Sequence, residues 1–468
     1  MDELPDEMVR LVLWEARAYT PALRCVCRRW RGLVATQREH FRRQQLLGSV
    51  FDFTDLAYNG HVSLIRWIIA ERPLSTAELN QILDGAASGG HESLAKLACE
   101  LGATDFDSAL VSATQGGHMA ITEWARERGA TNFNHMLYAA AGANRLEFAS
   151  LAREWGADDF KRPAYAAARA GHIEMVKLIQ LECQQRVEHW VLCGGAYGGH
   201  TSIVDLALAW GADNYNRMLT EATGGGQLAM AQRARALGGG SDNFGVELVL
   251  AAKTGRRDMV DLVSSWQTTT DPSDILRGAA LGNQFEMAVY ARSLGARNYD
   301  DMLACAARMG HLAAACLARA WGATDFNDML YATVESRNIR MAKLARAWGA
   351  DDLDGALRAA ASIGSVELAE LVRSWGATAL FSMVIAAVQS CHVSIVKLAR
   401  KWDYQFDSNW LLIQSAANGF ADGVHLAREW GARDFARAAM AAAQRSNTML
   451  EATLREWAQA AADPESPD

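Results

Sequence analysis

Residues 324–350 read TDFNDMLYATVESRNIRMAKLARAWGA. Phe326, Met329, Leu330 and Thr333 fall at helical spacing, as do Met341, Leu344, Ala345 and Trp348. The stretch therefore predicts two short helices, each with one apolar stripe. Asn327, like Asp107 and Asp354 in sister stretches, is expected to cap the first helix. The aromatic just before it (Phe106, Phe133, Phe160, Tyr215 or Phe326) is expected to staple onto the first turn. A glycine between the two helices would end the first, because glycine enters the left-handed conformation at little cost. The glycine of the closing Trp-Gly-Ala would end the second in the same way.

The pattern recurs outward in both directions. Trp-Gly-Ala or a near relative stands at Trp155, Trp210, Trp321, Trp348, Trp375 and Trp430, and Gly-His pairs end at His61, His91, His118, His172, His200 and His311. Aligning the copies places one slot at 61, 91, 118, 145, 172, 200, 227, 256, 284, 311, 338, 365, 392, 420 and 447. Most intervals are 27 residues, and ten residues after the slot stands a Trp in nine copies. A period held over fourteen intervals is the mark of a repeat protein. The expected fold class is all-α, a helical-repeat solenoid over 51–460 of about fifteen copies, preceded by a distinct segment 1–50 and followed by a polar tail 461–468. Two helices of about ten residues cannot bury their stripes alone, but stacked copies share one core. Mid-helix alanine pairs such as Ala139–Ala140 and Ala306–Ala307 favour helix and let neighbouring helices approach closely.

Composition narrows the function. Half of the 468 residues are apolar and 21% are charged, so the chain is not a disordered one. With 46 basic and 54 acidic residues the formal charge is −8, which argues against nucleic acid as a partner. No run of about 18 apolar residues free of charge predicts a membrane span. Residues 1–10 lack the basic start and apolar core of a secretory signal. The eight cysteines are scattered without a CxxC pair, as expected of reduced thiols in the cytoplasm, with the nucleus also open.

The seven slot histidines invite a metal reading, but copies one helix diameter apart set them about 10 Å from one another. Zinc needs its ligands near ~2 Å, so no metal site and no cofactor is expected, and the histidines are expected to bridge helices. Arg145, Gln227, Arg256, Gln284, Asn338, Ser365, Phe420 and Asn447 take the slot elsewhere. The slot tryptophans read as core rather than as base-stacking platforms. The arginines two residues before many of them (Arg153, Arg319, Arg346, Arg373, Arg428) are expected to lie over the surface and offset the helix dipole. The clusters Gly194–Gly195, Gly224–Gly226 and Gly238–Gly240 lack the context of a phosphate loop and read as decayed turns. Residues 236–272, with Thr268–Thr270, read as a candidate joint. No nucleophile, base and orienter set stands out, so the chain is not expected to be an enzyme.

The string 302–322, MLACAARMGHLAAACLARAWG, with HIEMVKL at 172–178 and HVSIVKL at 392–398, resembles the ankyrin repeat core. The copies are shorter than ankyrin repeats, so the β-hairpin finger between repeats is expected to be shortened or missing, and the Thr-Pro-Leu-His opening of the first helix is absent too. Segment 1–50 resembles an F-box through Leu4, Pro5, Glu7, Val9, Val12, Leu23, Val26–Cys27–Arg28–Arg29–Trp30 and Leu33. Pro5 suits a first helical turn, with Met8, Val9 and Val12 as a partner-facing stripe. The competing reading is a cap on the end of the array. The pairing of the two is similar to F-box/ankyrin proteins of large DNA viruses of amoebae.

That resemblance implies a monomeric substrate receptor of an SCF-type cullin–RING ubiquitin ligase. Leu4, Pro5, Met8, Val9, Val12, Leu23, Val26 and Trp30 would dock the ligase adaptor, and the array would hold a target. The alternative is a ligase-independent scaffold that sequesters a host or viral protein. In the ankyrin family the first helices line the binding face. On them, positions two residues after the aromatic vary: Ser108, His135, Arg217, Asp301, Asp328 and Gly355. So do positions three residues further on: Val111, Tyr138, Thr220, Ala304, Tyr331 and Arg358. The candidate target contacts are His135, Tyr138, Arg217, Asp301, Asp328, Tyr331 and Arg358, with free drift of solvated positions as the competing reading.

Overall fold

The computed structural model describes residues 52–462, apart from 184, 241–243, 268–269 and 446. The F-box-like segment and the residues named in it lie outside that range. Every described element is helical, and no strand occurs among the described residues. The helices alternate in the predicted pairs, as in Phe326–Glu335 with Ile339–Trp348 and Phe133–Gly142 with Leu146–Glu154. The chain divides at Ser241/Asp242 into two units. Within each, a first helix packs on the first helix of the next copy, and each second helix packs on its own first. In the copy 324–350, Met329, Leu330, Met341, Ala342 and Ala345 are buried. A Leu or Met so buried contributes roughly 1.5–3 kcal/mol. The copies between 182 and 272 keep the pattern, with helices Glu188–Gly198, Thr201–Ala209, Tyr215–Gly224, Leu228–Ala236, Gly245–Lys253 and Arg257–Ser264. The last two lie inside the stretch read above as a joint. The final helix, Thr448–Ala462, runs past 460.

Both helix ends turn as expected. The residue before the slot is left-handed, from Gly60 at φ 69° to Gly419 at φ 71°, including Asn144, Asn283, Arg337 and Cys391. In most copies the residue after the Trp slot is left-handed too, as at Gly322 (φ 111°), whereas Arg72 and Cys183 are extended.

The start of the first helix differs from expectation. Its cap is the residue before the aromatic: the Asp325 carboxylate accepts the Asp328 amide at 2.8 Å, and Asp105, Asn132, Asn214 and Asp352 do the same job. Asn327 stands two residues past the cap, already inside the helix. Its Oδ1 instead accepts the amides of Asp351 and Asp352, at 2.9 and 3.0 Å, in the next copy. Asn80, Asp107, Asn134, Asp300, Asp354 and Asn409 make the same pair of bonds 24 and 25 residues ahead. The aromatic does not staple either. Phe106, Phe133 and Phe326 each begin their helix and meet Trp124, Trp155 and Trp348 edge-on at 5.6–6.0 Å, pinning the far end of the second helix.

The arginines before the Trp slot reach forward as well. Arg319 lies 4.7 Å from the ring centre of Trp348, and Arg400 and Arg428 lie over Trp430 and Trp457. A guanidinium over an indole face is a cation–π contact of about 0.5–1 kcal/mol at exposed sites. Arg346 also bonds the Ala350 carbonyl at 2.7 Å, beyond its own helix end.

The slot histidines bridge copies. The Nε2 of His91, His118, His172, His200, His311 and His392 lies 3.0–3.2 Å from a carbonyl near the end of the preceding first helix. A carbonyl only accepts, so Nε2 carries the proton and satisfies one of the orphan acceptors at that helix end. Arg145 reaches Gly116 in the same manner, and Gln284 reaches Lys253. Among the described residues no group of His, Cys, Asp and Glu is placed to hold a metal ion.

Gly194–Gly195 is not a turn. Both lie inside the helix Glu188–Gly198. A Cβ on Gly194 would overlap the Tyr165 carbonyl oxygen, so the pair is a site of close helix approach. Gly85 and Gly278 hold the same register and would overlap Thr54 and Val249.

Candidate target-binding surface

Positions ten and seven residues before the slot are one helical turn apart and project from the same face of the first helix. First helices lie side by side, so these positions form a strip two side chains wide along each unit. All seven candidate contacts are at least partly exposed on it: His135, Tyr138, Arg217, Asp328 and Arg358 are exposed, and Asp301 and Tyr331 are half-buried.

In the N-terminal unit the strip is concave. A cavity of about 440 Å³ is lined by Asn134, His135, Tyr138, Asp159, Arg162, Tyr165 and Trp190. His135 Nδ1 donates to Asn132 Oδ1 at 2.7 Å, which leaves Nε2 toward solvent as the acceptor of the neutral ring. Asn134 is occupied by the amides of Asp158 and Asp159. Asp159 accepts the Lys161 amide at 3.2 Å, so its charge sits on the N-terminus of the helix Lys161–Ala170.

Next to the cavity lies a polar network. The Tyr165 hydroxyl donates to Glu221 Oε2 at 3.1 Å, and Arg217 Nε donates to Glu221 Oε1 at 2.9 Å. Burial and the Glu221 charge raise the Tyr165 pKa, and the same two causes push the buried Cys193 thiol up to about 11.

In the C-terminal unit the strip carries Asp274, Asp301 and Asp328 on successive copies. Burial, followed by the charges of Asp325 and Asp301, raises the Asp328 pKa. Asp274 is raised by burial and is bonded by Arg277. Further along, Tyr331 donates to Asp352, and burial with that bond raises the Tyr331 hydroxyl to about 12. Arg358 acts on this pair through its charge.

No protein-family model matches this chain, and no curated protein matches it.

The structure thus brings His135 and Tyr138 into one cavity, ties Arg217 to it through Glu221, and couples Asp301 to Asp328. Arg162, Tyr165 and Trp190 were missed. Yet they occupy the same two positions in the copies with slots at His172 and His200, so the register alone would have found them. Glu221 stands at a position held by Gly or Ala in most copies, and a carboxylate there is the one sequence signal of the network.

Proposed function

We propose that this chain is a protein–protein interaction receptor without catalytic activity of its own. The first-helix strip holds a target protein, and residues 1–50 dock the adaptor of an SCF-type cullin–RING ubiquitin ligase. The observation that carries the target-holding half is the cavity. Residues at the positions that vary between copies (His135, Tyr138, Arg162, Tyr165 and Trp190) line it beside Asn134, which joins copies. Variation confined to an exposed strip of an otherwise uniform scaffold is the arrangement by which repeat proteins present a binding surface. The adaptor half rests on the resemblance carried by Leu4, Pro5, Met8, Val9, Val12, Leu23, Val26 and Trp30. The chain acts in the cytoplasm as a monomer.

The test is a titration of the purified full chain with the human or amoebal ligase adaptor, beside a Leu4→Ala, Pro5→Ala double variant. Saturable binding that the double variant loses supports the ligase receptor. Absence of binding by the parent chain removes the ligase half and leaves a scaffold that sequesters its target. That second reading needs only the strip, and the cavity lining among the described residues comes from the repeats.

A further inference from the structure

Glu221 holds the register at which Gly85, Gly194 and Gly278 meet the backbone of the preceding copy. Its side chain is only 13% exposed. A carboxylate so nearly buried costs free energy unless hydrogen bonds and an opposite charge meet it. Both do so here. The Tyr165 hydroxyl donates to Oε2 at 3.1 Å and Arg217 Nε to Oε1 at 2.9 Å. Joining the copies does not call for this carboxylate, because Gly or Ala serves the packing in most of the others. Its two partners belong instead to the target-facing strip. Tyr165 is a wall of the cavity, and Arg217, two copies along, is one of the candidate contacts. Between them runs the helix Glu188–Gly198, which carries Trp190 on the cavity and Cys193 in the reach of the Glu221 charge. The phenol ring is thus held at both ends, by its own backbone and by the hydroxyl bond. Glu221 does not line the cavity itself.

We infer that Glu221 is a positioning residue of the strip: it straps Tyr165 and Arg217 across the helix Glu188–Gly198 and so sets the cavity wall in place before a target arrives. The inference rests on the reading of the first-helix strip as the target-holding surface, and adds how that surface is pre-organised. A side chain already ordered in the free protein does not have to be ordered on binding, so the strap favours association without touching the partner.

The experiment labels the full chain with 5-fluorotryptophan and follows the Trp190 fluorine resonance, assigned by its loss in Trp190→Phe. Trp190 and Tyr165 line the same cavity, so this fluorine reads where the phenol ring stands. Tyr165→Phe removes one hydroxyl and keeps the ring, and Glu221→Ala removes the strap from the other end. Asp205→Asn is the control, since Asp205 is bonded by Arg233 of the next copy on the second helices. The expected result is a shift of the Trp190 resonance in Tyr165→Phe and in Glu221→Ala. Their double variant should shift it no further than the larger single change, because both cut one strap. Glu221→Gln, whose carbonyl still accepts from the phenol, should shift it less, and Asp205→Asn not at all. A resonance unmoved in Tyr165→Phe and Glu221→Ala overturns the inference, and so do shifts that add in the double variant. The strip reading is judged apart, by panning a random peptide display library on the parent chain and on Tyr138→Ala. Peptides enriched on the parent and lost on that variant support it, and no enrichment overturns it whatever the fluorine shows. Such peptides should bind Glu221→Ala about threefold to tenfold more weakly, the cost of ordering one side chain. Equal binding overturns the positioning role.

Discussion

The hydroxyl of Tyr165 donates to the carboxylate of Glu221, 56 residues ahead and two copies along the array. The intervening helix Glu188–Gly198 would ordinarily keep them apart. It carries Gly194 where most copies carry Gly or Ala and lies so close to the Tyr165 helix that a methyl there would strike backbone. The Tyr165 side chain therefore reaches past Cys193 to the helix beyond. One residue without a side chain thus lets the helices Lys161–Ala170 and Glu188–Gly198 approach this closely.

Gly194→Ala should destabilise the chain by about 1–3 kcal/mol, because the new methyl meets a carbonyl oxygen that cannot swing aside. Gly142 is the control: a Cβ there meets nothing within 4 Å. Gly142→Ala should be neutral or stabilising by about 0.4–1 kcal/mol. Urea denaturation of the two variants distinguishes them, and equal midpoints would sink the close-approach account.

The slot histidine acts as a hydrogen-bond donor between copies. His172→Ala should cost about 0.5–1.5 kcal/mol, and His172→Gln should cost less, since Gln284 already makes the equivalent bond. Addition of EDTA should leave the thermal midpoint of the parent chain unchanged. A fall in that midpoint would reopen the metal reading.

Asn327→Ala removes two bonds to the next copy and should cost about 1–2 kcal/mol. Asn327→Asp should be nearly neutral at pH 7, because Asp107, Asp300 and Asp354 serve the same amides. Chemical denaturation at constant pH measures both. If the alanine variant unfolds with the parent, the side chain is not joining the copies.

Asp354 gives a dependence on pH. The amides of Thr378 and Ala379 hold its carboxyl below the ordinary value. A depressed folded pKa means stability that is present above the unfolded value, about pH 4, and lost as pH falls through the folded one. Asp354→Asn should therefore lose less stability than the parent between about pH 4 and pH 2. Parallel acid titrations followed by circular dichroism decide it, and superimposed curves count against the linkage.

Thiol reactivity should follow position. Cys193 and Cys305 are buried, with pKa values pushed up to about 11 by burial and by Glu221 or Asp301. At pH 8 roughly one in a thousand of each is thiolate. Iodoacetamide should label the exposed Cys316 and Cys391 well before either. Mass spectrometry of a time course checks this, and early labelling of Cys193 would contradict its burial.

The helices, their order and their left-handed ends were legible in the chain because each is a local property. Apolar spacing sets a helix face within one or two turns, and a residue such as Gly310 turns left-handed by its own sterics. The readings that failed concerned direction. Asn327 and Phe326 were each assigned to the first turn of their own helix. In the fold Asn327 serves the next copy and Phe326 the far end of its own second helix, while Arg319, in the last turn of its helix as expected, also reaches the next indole. A side chain near a helix end can satisfy either its own turn or its neighbour, and spacing along one strand of sequence does not distinguish them.

The same division runs through the candidate surface. That positions 135 and 138, or 328 and 331, share one face follows from 3.6 residues per turn and nothing else. That His135, Tyr138, Arg162, Tyr165 and Trp190 close around one cavity, while Asp301 and Asp328 instead face each other's charge, depends on how near successive helices lie. In the N-terminal unit that distance is set by contacts such as Gly194 against Tyr165, between residues far apart in the chain. Periodicity can name the positions on a face. Only packing across copies, where a single methyl decides how closely two backbones approach, gives that face its depth.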